Sequence, residues 1–306
     1  MDVRSDGLPQ APPVDVAVAE PYRLDLTVAI LRRTQASAVD AFADGTYVRL
    51  LAGGPRPKGF RARQRSPERL AIEPFGDGVD AERVVAIARR MLGTAHDPAR
   101  FRRAAAGLPW LGPLAERMRG ARGPRYPTLW EAIVNAVVFQ AVSLAAASAI
   151  LLRAIVALEP AVALDRTELR PFPSAERWLE GSDSELRLAG LSGAKITTLR
   201  RAAGMLVAGD LTEAELDALD TEAAAARLQR LPGIGPWTAA VILLRGFGRL
   251  DTFPGNDSGA ARALAMLGVS PSELPAALAA LGDERGMLYF HLLLARLERL
   301  PVILGG

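Results

Sequence analysis

Residues 231–257 read LPGIGPWTAAVILLRGFGRLDTFPGND, and this stretch decides the fold of the chain. It opens with a Gly-rich turn at 231–235, continues as an apolar segment from Pro236, and ends in a polar loop at 248–259. Proline suits the first turn of a helix, because the N–H that it lacks needs no partner there. The pattern therefore predicts two helices joined by a tight hairpin, with an Asn-Asp pair in the loop that follows.

The hairpin glycines, Gly233 and Gly235, suit the binding of an anion. A backbone without Cβ atoms can come close to a phosphate, and the N–H groups that begin the next helix point at the same place. Asp257 arrives one helix later, where the loop can return its carboxylate toward the bound group. Two alternatives stay open: an ordinary helical hairpin whose glycines serve only packing, and Asp251 as the acting carboxylate of the loop.

The composition excludes several kinds of site. There is no cysteine, which excludes disulfides, Cys-ligated zinc and iron–sulfur clusters. The two histidines, His96 and His291, are far apart in the sequence, so neither a His-based metal site nor a Ser-His-Asp triad is expected. Half of the 306 residues are hydrophobic, which is enough for two domains with a sizeable core. The net charge is only +3, but the sequence pI is about 9.6, and a basic pI alone is weak evidence for a nucleic-acid partner.

The first hundred residues predict a tail and a small α+β unit. Residues 1–20 are acidic and Pro-rich and lack the basic start and apolar core of a signal peptide, so we expect a flexible tail on a cytoplasmic protein. Residues 21–96 contain several strand patterns and one helix pattern. Among them, the alternation of YRLDLTVAI at 22–30 predicts a half-buried strand.

One of these predicted strands is rich in arginine. Arg61, Arg63 and Arg65 share one face of it, because side chains on a strand alternate between its two faces. The strand is either a charged edge strand, protected in this way from aggregation, or a contact to nucleic acid.

From residue 97 to residue 306 the pattern is helical almost throughout. Gln140 interrupts the apolar run at 132–152. A buried amide without a partner costs about 1–3 kcal/mol. Gln140 therefore either forms a local hydrogen bond within a continuous helix, or the helix breaks there and Gln140 lines a site.

Several motifs, in the same order, resemble those of helix-hairpin-helix DNA glycosylases, and above all the AlkA-type 3-methyladenine glycosylase II group. They are LPGIGPWTA (231–239), FPGNDSG (253–259), GLSGAKITTL (190–199), the QAVS that ends a helix (140–143), and the N-terminal LDLTVAILRR and DGTYVRLL. The resemblance covers nearly the whole chain. It implies a mainly α fold, in which an all-α glycosylase core of two helical subdomains (97–306) follows a small α+β domain.

The resemblance also implies an activity. Family members flip a damaged nucleotide out of double-stranded DNA, because its glycosidic bond cannot be reached inside the stack. Asp257 matches the catalytic carboxylate, which stabilises positive charge on the deoxyribose and orients water at C1′. The implied substrates are alkylated purines such as 3-methyladenine and 7-methylguanine. A cationic purine needs little protonation to leave, which suits the lack of an obvious second acid.

The implied base pocket departs from the family pattern. Family members that also cut DNA have a nucleophilic lysine two residues after the second hairpin glycine, and Trp237 stands there, so we expect no lyase activity. Trp237 either packs on the flipped base or is a core residue. Gln140 belongs to the implied pocket, and Val241, Ser258 and Leu293 stand where aromatic residues are usual. These substitutions predict a roomier, less aromatic pocket.

The implied DNA contacts lie on the hairpin and its neighbours. They are Gly233, Gly235, Thr238, Lys195 and Ala141, the last at the position of the wedge that fills the gap left by the flipped base. A methyl group fills little of that gap, and Val142 or Phe139 are alternatives. The carbonyls of Gln229, Leu231 and Gly233 match those that hold a monovalent cation, Na⁺ or K⁺, between the hairpin and a phosphate. No other cofactor is expected.

The sequence thus predicts a monomeric, nucleoid-associated enzyme with double-stranded DNA as its partner and no membrane contact. One alternative is a glycosylase for another lesion class, with an oxidised, deaminated or bulky base as substrate. Another is a helix-hairpin-helix protein that binds DNA damage without cleavage. The last is an all-α protein that uses the hairpin only for packing.

Overall fold

The structure is a computed structural model. It describes residues 8–34, 37–51, 57–164 and 167–299. Residues 1–7 of the predicted tail and residues 300–306 of the predicted core lie outside these ranges.

The N-terminal part forms a five-stranded antiparallel sheet with two helices. Its elements are β1 (Val14–Ala17), α1 (Leu24–Arg32), β2 (Asp40–Ala43), β3 (Thr46–Leu50), β4 (Lys58–Ser66), β5 (Arg69–Gly76) and α2 (Ala81–Met91). The strand order across the sheet is β1-β5-β4-β3-β2. This confirms a small α+β unit ahead of the helices. The expectation of a flexible tail is wrong for residues 14–17, because β1 pairs along its length with β5.

The predicted strand at 22–30 is wrong, because its residues from Leu24 onward form the helix α1. One side of α1, with Leu24 and Val28, packs in the core of the sheet. The other side, with Leu26, Ala29 and Ile30, packs among the C-terminal helices. A helix that is apolar on two sides lacks the single apolar stripe by which a helix is recognised in a sequence.

The Arg-rich strand β4 is not an edge strand, since it lies between β3 and β5. Two of its arginines have partners within the sheet. The Arg61 guanidinium lies 4.9 Å from the ring centre of Phe75, and Arg63 Nε donates to Thr46 Oγ1 at 2.6 Å. The edge-strand interpretation is therefore wrong, and the contact to nucleic acid stays a prediction.

The rest of the described chain is mainly helical. Its elements are α3 (Ala99–Ala106), α4 (Leu111–Arg117), α5 (Leu129–Val138), α6 (Leu144–Leu158), β6 (Val162–Leu164), β7 (Thr167–Leu169), α7 (Ala175–Glu180), α8 (Asp183–Leu188), α9 (Gly193–Ala208), α10 (Glu213–Ala218), α11 (Thr221–Gln229), α12 (Pro236–Ile242), α13 (Ser258–Met266), α14 (Leu274–Leu281) and α15 (Arg285–Leu297). A π-helical turn, Leu243–Phe247, continues α12, and short 3₁₀ turns flank α14.

The expectation of an all-α core is wrong at β6 and β7. These strands pair in antiparallel fashion, and their residues Val162, Leu164 and Leu169 share an apolar cluster with Leu50 and Phe75 of the N-terminal sheet. The small hairpin therefore covers part of the sheet that would otherwise be left open.

Two apolar cores divide the helices, in agreement with two helical subdomains. One contains buried residues of α5, α6, α7, α9, α11 and α12. The other contains buried residues of α3, α4, α13, α14 and α15. The π-helical turn connects them, because Leu243 belongs to the first core and Leu244 to the second. Turns of this kind occur frequently at functional sites.

A buried ion pair joins the sheet to the first helical core. Arg49 Nη2 on β3 lies 2.5 Å from Glu131 Oε2 on α5. Asp40 lies on the other side of Arg49, at 3.6 Å from Nη1, and also accepts the Tyr47 hydroxyl at 3.0 Å. Burial raises the pKa of the Glu131 carboxyl, and the charge of Arg49 opposes this shift.

Membrane-spanning segments were sought within the described residues. No single helix there is both long and apolar enough to cross a bilayer, and one bent pair, Ser258–Met266 with Pro271–Leu297, meets the requirement by length and composition alone.

Candidate active site

The apolar run at 132–152 is interrupted, because α5 ends just before Phe139 and α6 begins at Leu144. Ala141 turns the chain with a φ of +54°, in the left-handed region. The Ser143 side chain then caps α6 by accepting the N–H of Ala146 at 3.2 Å. Of the two interpretations of Gln140, the helix break is therefore correct, and the role of Gln140 in a site stays a prediction.

The side chain of Gln140 connects this break to the hairpin. Its Nε2 donates to the carbonyl of Gly233 at 2.9 Å and to the hydroxyl of Thr238 at 2.7 Å. Lys195 on α9 supports the same segment, because its Nζ donates to the carbonyls of Val138 and Gln140 at 2.8 and 2.9 Å. Burial lowers the pKa of Lys195. Lys195 thus holds the C-terminal end of α5, and its contact to DNA stays a prediction.

The two hairpin glycines have different surroundings. Gly233 has a φ of +94°, and a Cβ there would lie 2.1 Å from Thr198 Oγ1. Gly235 has ordinary extended backbone, with φ −90° and ψ −179°, and a Cβ there would meet no atom within 4 Å. The fold itself therefore requires glycine only at Gly233, and Gly235 offers an open surface.

The three carbonyls expected to hold a cation are partly engaged. Leu231 O accepts the N–H of Ile234 at 3.0 Å, and Gly233 O accepts from Gln140. Each carbonyl has a second lone pair, so a cation site formed with Gln229 stays a prediction. Among the described residues, no three His, Cys, Asp or Glu side chains gather in a way that suits a metal ion.

Asp257 is the N-cap of α13, and both of its carboxylate oxygens are held. Oδ1 accepts the N–H of Ala260 at 2.6 Å. Oδ2 accepts the indole N–H of Trp237 at 2.8 Å. Trp237 belongs to the first turn of α12, so this bond joins the hairpin to the loop before α13 and fixes the plane of the carboxylate.

A cavity of about 450 Å³ opens in front of this pair, between the two helical cores. The described residues that line it are Arg33, Phe139, Gln140, Ala141, Val142, Leu144, Gly235, Trp237, Thr238, Val241, Asn256, Asp257, Ser258, Gly259, Tyr289, Leu293 and Arg296. All six residues predicted for catalysis and the pocket are among them: Gln140, Trp237, Val241, Asp257, Ser258 and Leu293. Of the predicted DNA contacts, the lining includes Ala141, Gly235 and Thr238 but neither Gly233 nor Lys195.

Other candidate acids and bases lie elsewhere. Asp251 is exposed and does not line the cavity. His96 pairs with Glu284 at 2.9 Å. His291 is buried against Phe101, with ring centres 4.5 Å apart, and burial lowers its pKa to about 4. Asp257 is thus the sole carboxylate in the described lining of the cavity.

Sequence reasoning missed two groups of lining residues. Tyr289 and Arg296 lie on α15 with Leu293, and the spacing of four and three residues places all three on one helix face. That spacing was the signal that could have found them. Burial, followed by the charge of Arg262, lowers the pKa of Arg296. Arg33 comes from the end of α1, far away in the sequence, and no local pattern marks it.

A further buried arginine, Arg245, shares the Tyr126 ring with Arg33. The Arg245 guanidinium, fully buried in the π-helical turn, lies 4.8 Å from the ring centre of Tyr126 and donates to Ile30 O at 2.9 Å. Two of its nitrogens, Nε and Nη1, have no hydrogen-bond partner among the described residues. Burial, and then the charge of Arg33, lowers the pKa of Arg245 to about 10.

Comparison with known proteins gives relatives of both sequence and fold. No protein-family profile matches the chain. The chain is 32% identical over 262 residues to the probable bifunctional transcriptional activator/DNA repair enzyme AlkA of Mycobacterium tuberculosis, a match that covers 82% of this chain and 50% of that protein. The chain therefore spans about half the length of this curated relative.

Two solved structures share the fold. The 3-methyladenine DNA glycosylase of Archaeoglobus fulgidus superposes with a TM-score of 0.79 at 22% identity, over 92% of this chain and 98% of that one. The 8-oxoguanine glycosylase/lyase of Clostridium acetobutylicum, in complex with double-stranded DNA, superposes with a TM-score of 0.74 at 15% identity, over 98% and 100%. Fold, hairpin and relatives agree, and the chain belongs to the helix-hairpin-helix DNA glycosylase superfamily, in its AlkA-type group.

Proposed function

We propose that the protein is a monofunctional DNA glycosylase that removes damaged bases from double-stranded DNA in base excision repair. The observation that carries the proposal is the fixed carboxylate of Asp257 at the wall of a 450 Å³ cavity. A cavity of this size is within the usual range for small-molecule sites of about 300–1,000 Å³. It can take a base that has been flipped out of the duplex.

In the proposed reaction Asp257 acts on the sugar. As the glycosidic bond breaks, positive charge grows on the deoxyribose, and a carboxylate whose orientation is already fixed stabilises this charge without reorganising. Trp237 and the N–H of Ala260 supply that orientation. Water then adds to C1′, and Asp257 is placed to accept its proton. The carboxylate therefore first stabilises the transition state and then accepts a proton from the water.

The proposal excludes the lyase reaction for a chemical reason. A lyase needs an amine that attacks C1′ and forms a Schiff base. The described lining of the cavity contains no lysine, and Trp237, at the position of the lyase lysine, donates to Asp257. Lys195 donates to two carbonyls at the end of α5, which supports a positioning role for it.

DNA binding is proposed for the hairpin and the 139–143 break. The open surface at Gly235 suits the close approach of a phosphate, and a cation at the carbonyls of Gln229, Leu231 and Gly233 would add to this contact. Among the wedge candidates, Val142 is 38% exposed, whereas Phe139 is covered by the Arg33 guanidinium at 4.1 Å. These surroundings favour Val142, beside Ala141, as the group that fills the gap in the duplex.

Alkylated purines are the proposed substrates. The relatives called AlkA and 3-methyladenine glycosylase support this class. A cationic purine leaves without an acid, which suits a lining whose described residues include no histidine and no carboxylate besides Asp257. A second lesion class stays a candidate, because Val241, Ser258 and Leu293 leave the pocket without the usual aromatic rings. The proposed activity places the protein with the DNA, as a nucleoid-associated monomer in the cytoplasm.

The proposal is tested by incubating the protein with dimethyl sulfate-treated duplex DNA and identifying the released bases by chromatography. We expect free 3-methyladenine and 7-methylguanine, and abasic sites that stay uncut until alkali is added. Borohydride is added to a parallel reaction and should trap no covalent adduct. Absence of any released base would contradict the glycosylase, release of other bases only would contradict the substrate class, and a trapped adduct would contradict the monofunctional mechanism.

A further inference from the structure

A second cavity lies where the end of α2, the connector before α5 and the loop after the π-helical turn meet. Its volume is about 570 Å³, which is within the usual range for small-molecule sites of about 300–1,000 Å³. Its described lining includes three arginines, Arg89, Arg90 and Arg125, and no aspartate or glutamate. The described linings of this cavity and of the cavity at Asp257 have no residue in common. The structure therefore contains a positively charged recess that is separate from the candidate active site.

The backbone around Arg125 fixes this residue at the wall of the second cavity. Its N–H donates to the carbonyl of Met91, at the end of α2, at 3.0 Å. Its guanidinium lies against the backbone of Gly248, since a Cβ on Gly248 would clash with Nε and Nη2 of Arg125. Gly248 also has a φ of +70°, a conformation that favours glycine. The guanidinium is therefore held in place before any ligand arrives.

Two of the three arginines have donors that the surrounding protein does not use. Within the described part of the chain, no hydrogen bond or ion pair joins the guanidinium of Arg89 or of Arg125 to another residue. Arg90 differs, because its guanidinium lies 3.4 Å from Glu213 Oε2 and donates to Pro127 O. A guanidinium presents five N–H donors in a planar fork that matches two oxygens of a phosphate. Two such forks are therefore available to a ligand in the second cavity.

The charges around the second cavity favour an anion. Burial lowers the pKa of Arg125, the charge of Arg90 lowers it further, and the charge of Asp217 opposes these effects. His96 of the same lining pairs with Glu284 at 2.9 Å, so this acid is already engaged. Like charges that are held together repel one another, and an anion between them removes the repulsion. The cavity therefore suits a ligand with more than one negative charge.

The second cavity is also remote from the hairpin that is proposed to bind DNA. Gly235 of the hairpin comes directly before α12, and Gly248 comes directly after the π-helical turn that continues α12. The seven residues of α12 and the five of the turn rise by roughly 1.5 Å each, so the two glycines are roughly 18 Å apart. A phosphate bound at the hairpin therefore does not reach Arg125, and the second cavity needs a ligand of its own.

We propose that the second cavity is a ligand site that binds a small phosphate monoester through Arg89, Arg90 and Arg125. A phosphate monoester carries a charge of about −1.5 to −2 at pH 7, and its oxygens accept hydrogen bonds from arginine forks. The rest of the lining includes small apolar residues such as Ala86 and Ala95, which leave room for the organic group of the ester. The site is independent of base excision, and its occupation does not require an active glycosylase.

The test measures binding of inorganic phosphate and of ribose 5-phosphate, an ester without a base, to the full chain by isothermal titration calorimetry. We expect wild type to bind both, and sodium chloride at the same ionic strength to give no binding heat. Arg89→Met and Arg125→Met should each weaken binding by at least about 10-fold, because a charge-assisted hydrogen bond is lost. Asp257→Asn should bind both probes as wild type does, because Asp257 lines the other cavity.

The matched control is Arg83→Met, which removes an exposed arginine of α2 outside the second cavity and should leave the affinity for both probes unchanged. Wild type that binds neither probe overturns the proposal. Equal affinities of wild type, Arg89→Met and Arg125→Met overturn it as well, since phosphate bound at the hairpin would give that result. Arg89 is exposed, so Arg89→Met tests the site even if Arg125→Met does not fold.

A second measurement separates a free ester from a phosphate of the DNA backbone. Binding of a long duplex is followed by fluorescence anisotropy for wild type, Arg89→Met and Arg125→Met. Unchanged DNA binding, together with weaker binding of ribose 5-phosphate, supports a site for a free ester. Weaker DNA binding by both variants would place a backbone phosphate in the second cavity and overturn the proposal of a free ester.

Discussion

Gly233 and Gly235, two residues apart in the hairpin, are needed for different reasons. Gly233 has a positive φ, and a Cβ there would clash with Thr198. The fold itself therefore requires a glycine at this position. Gly235 has neither feature. A phosphate against the hairpin is the proposed reason for a glycine there.

This difference gives a prediction with its own control. Gly233→Ala should lower the free energy of unfolding by more than about 1 kcal/mol, because an alanine is strained at positive φ and its Cβ meets Thr198. Gly235→Ala should change it by less than about 0.5 kcal/mol, as at an unconstrained surface position, and yet weaken binding to duplex DNA. Urea unfolding and fluorescence anisotropy measure the two effects. Equal stability of the two variants, or undiminished DNA binding by Gly235→Ala, would contradict it.

At the scale of single residues, the sequence indicates the site only where its groups lie on a local motif. Asp257 and Trp237 could be predicted because the hairpin motif fixes their spacing, and the structure places them in hydrogen-bond contact. Arg33 could not be predicted, since its place at the cavity depends on how the sheet packs on the helices. Tyr289 could be predicted in part, because it lies four residues before Leu293 and therefore on the same face of α15.

At the scale of elements, the sequence predicts helices with one apolar face well and elements buried on two sides poorly. The helix α2 agrees with the one helix pattern within residues 21–96, and the structure adds Asp80 as its cap. The helix α1 has the sequence pattern of a strand, because it is buried between the sheet and α15. The break after α5 is indicated in the apolar pattern by Gln140, but the same pattern also allows a continuous helix. It depends on the partners of Gln140 on the hairpin, which are close only in the folded chain.

The connection between β3 and α5 is the element contact whose removal should cost most. Arg49 and Glu131 are each 3% exposed. Removing Glu131 leaves the buried Arg49 with the longer contact to Asp40 alone, at 3.6 Å, and breaking a buried pair costs about 3–5 kcal/mol. We therefore expect Glu131→Ala to lower the free energy of unfolding by about 3 kcal/mol, measured by urea denaturation.

The control for this prediction is Glu180→Ala, which removes an exposed pair with Arg177 on α7 and should cost less than about 1 kcal/mol. The double variant Arg49→Met/Glu131→Leu should recover much of the loss, because no unpaired charge remains between β3 and α5. A Glu131→Ala variant as stable as Glu180→Ala would show that the buried pair does not hold the sheet to the helices.

At the scale of the whole molecule, His291 makes stability depend on pH. Burial depresses its pKa in the folded chain to about 4, against about 6.5 when unfolded. The stabilising contribution is complete above pH 6.5 and is lost as the pH falls toward 4, because the unfolded chain takes up the proton first. Between pH 7 and pH 5, where few carboxylates titrate, the loss is about 2 kcal/mol.

The measurement is urea unfolding of wild type and His291→Gln at pH 7 and pH 5. Glutamine does not titrate, so the stability difference between the two proteins should shrink by about 2 kcal/mol over this interval. A constant difference would show that the imidazole is not held neutral against Phe101.

The whole fold also explains why the cavity lies where it does. Its walls come from the α5–α6 break and α12 in one helical core, α13 and α15 in the other, and the end of α1 from the N-terminal domain. A site formed from three parts of the chain keeps its shape only when all three are packed. Both the stability of the protein and the activity of the site therefore depend on the packing of these three parts.

Asp257 is proposed to perform the chemistry, and replacing its carboxylate by an amide tests this role. Asn is as good a helix cap as Asp, so Asp257→Asn should keep α13, while it removes the charge and the acceptor of the Trp237 indole N–H. We expect Asp257→Asn to release 3-methyladenine from methylated duplex DNA at least about 100-fold more slowly than wild type in single turnovers, with unchanged DNA binding. Asp251→Asn, the exposed neighbour, should match wild type. Equal rates for Asp257→Asn and wild type, or the loss appearing in Asp251→Asn instead, would contradict the account.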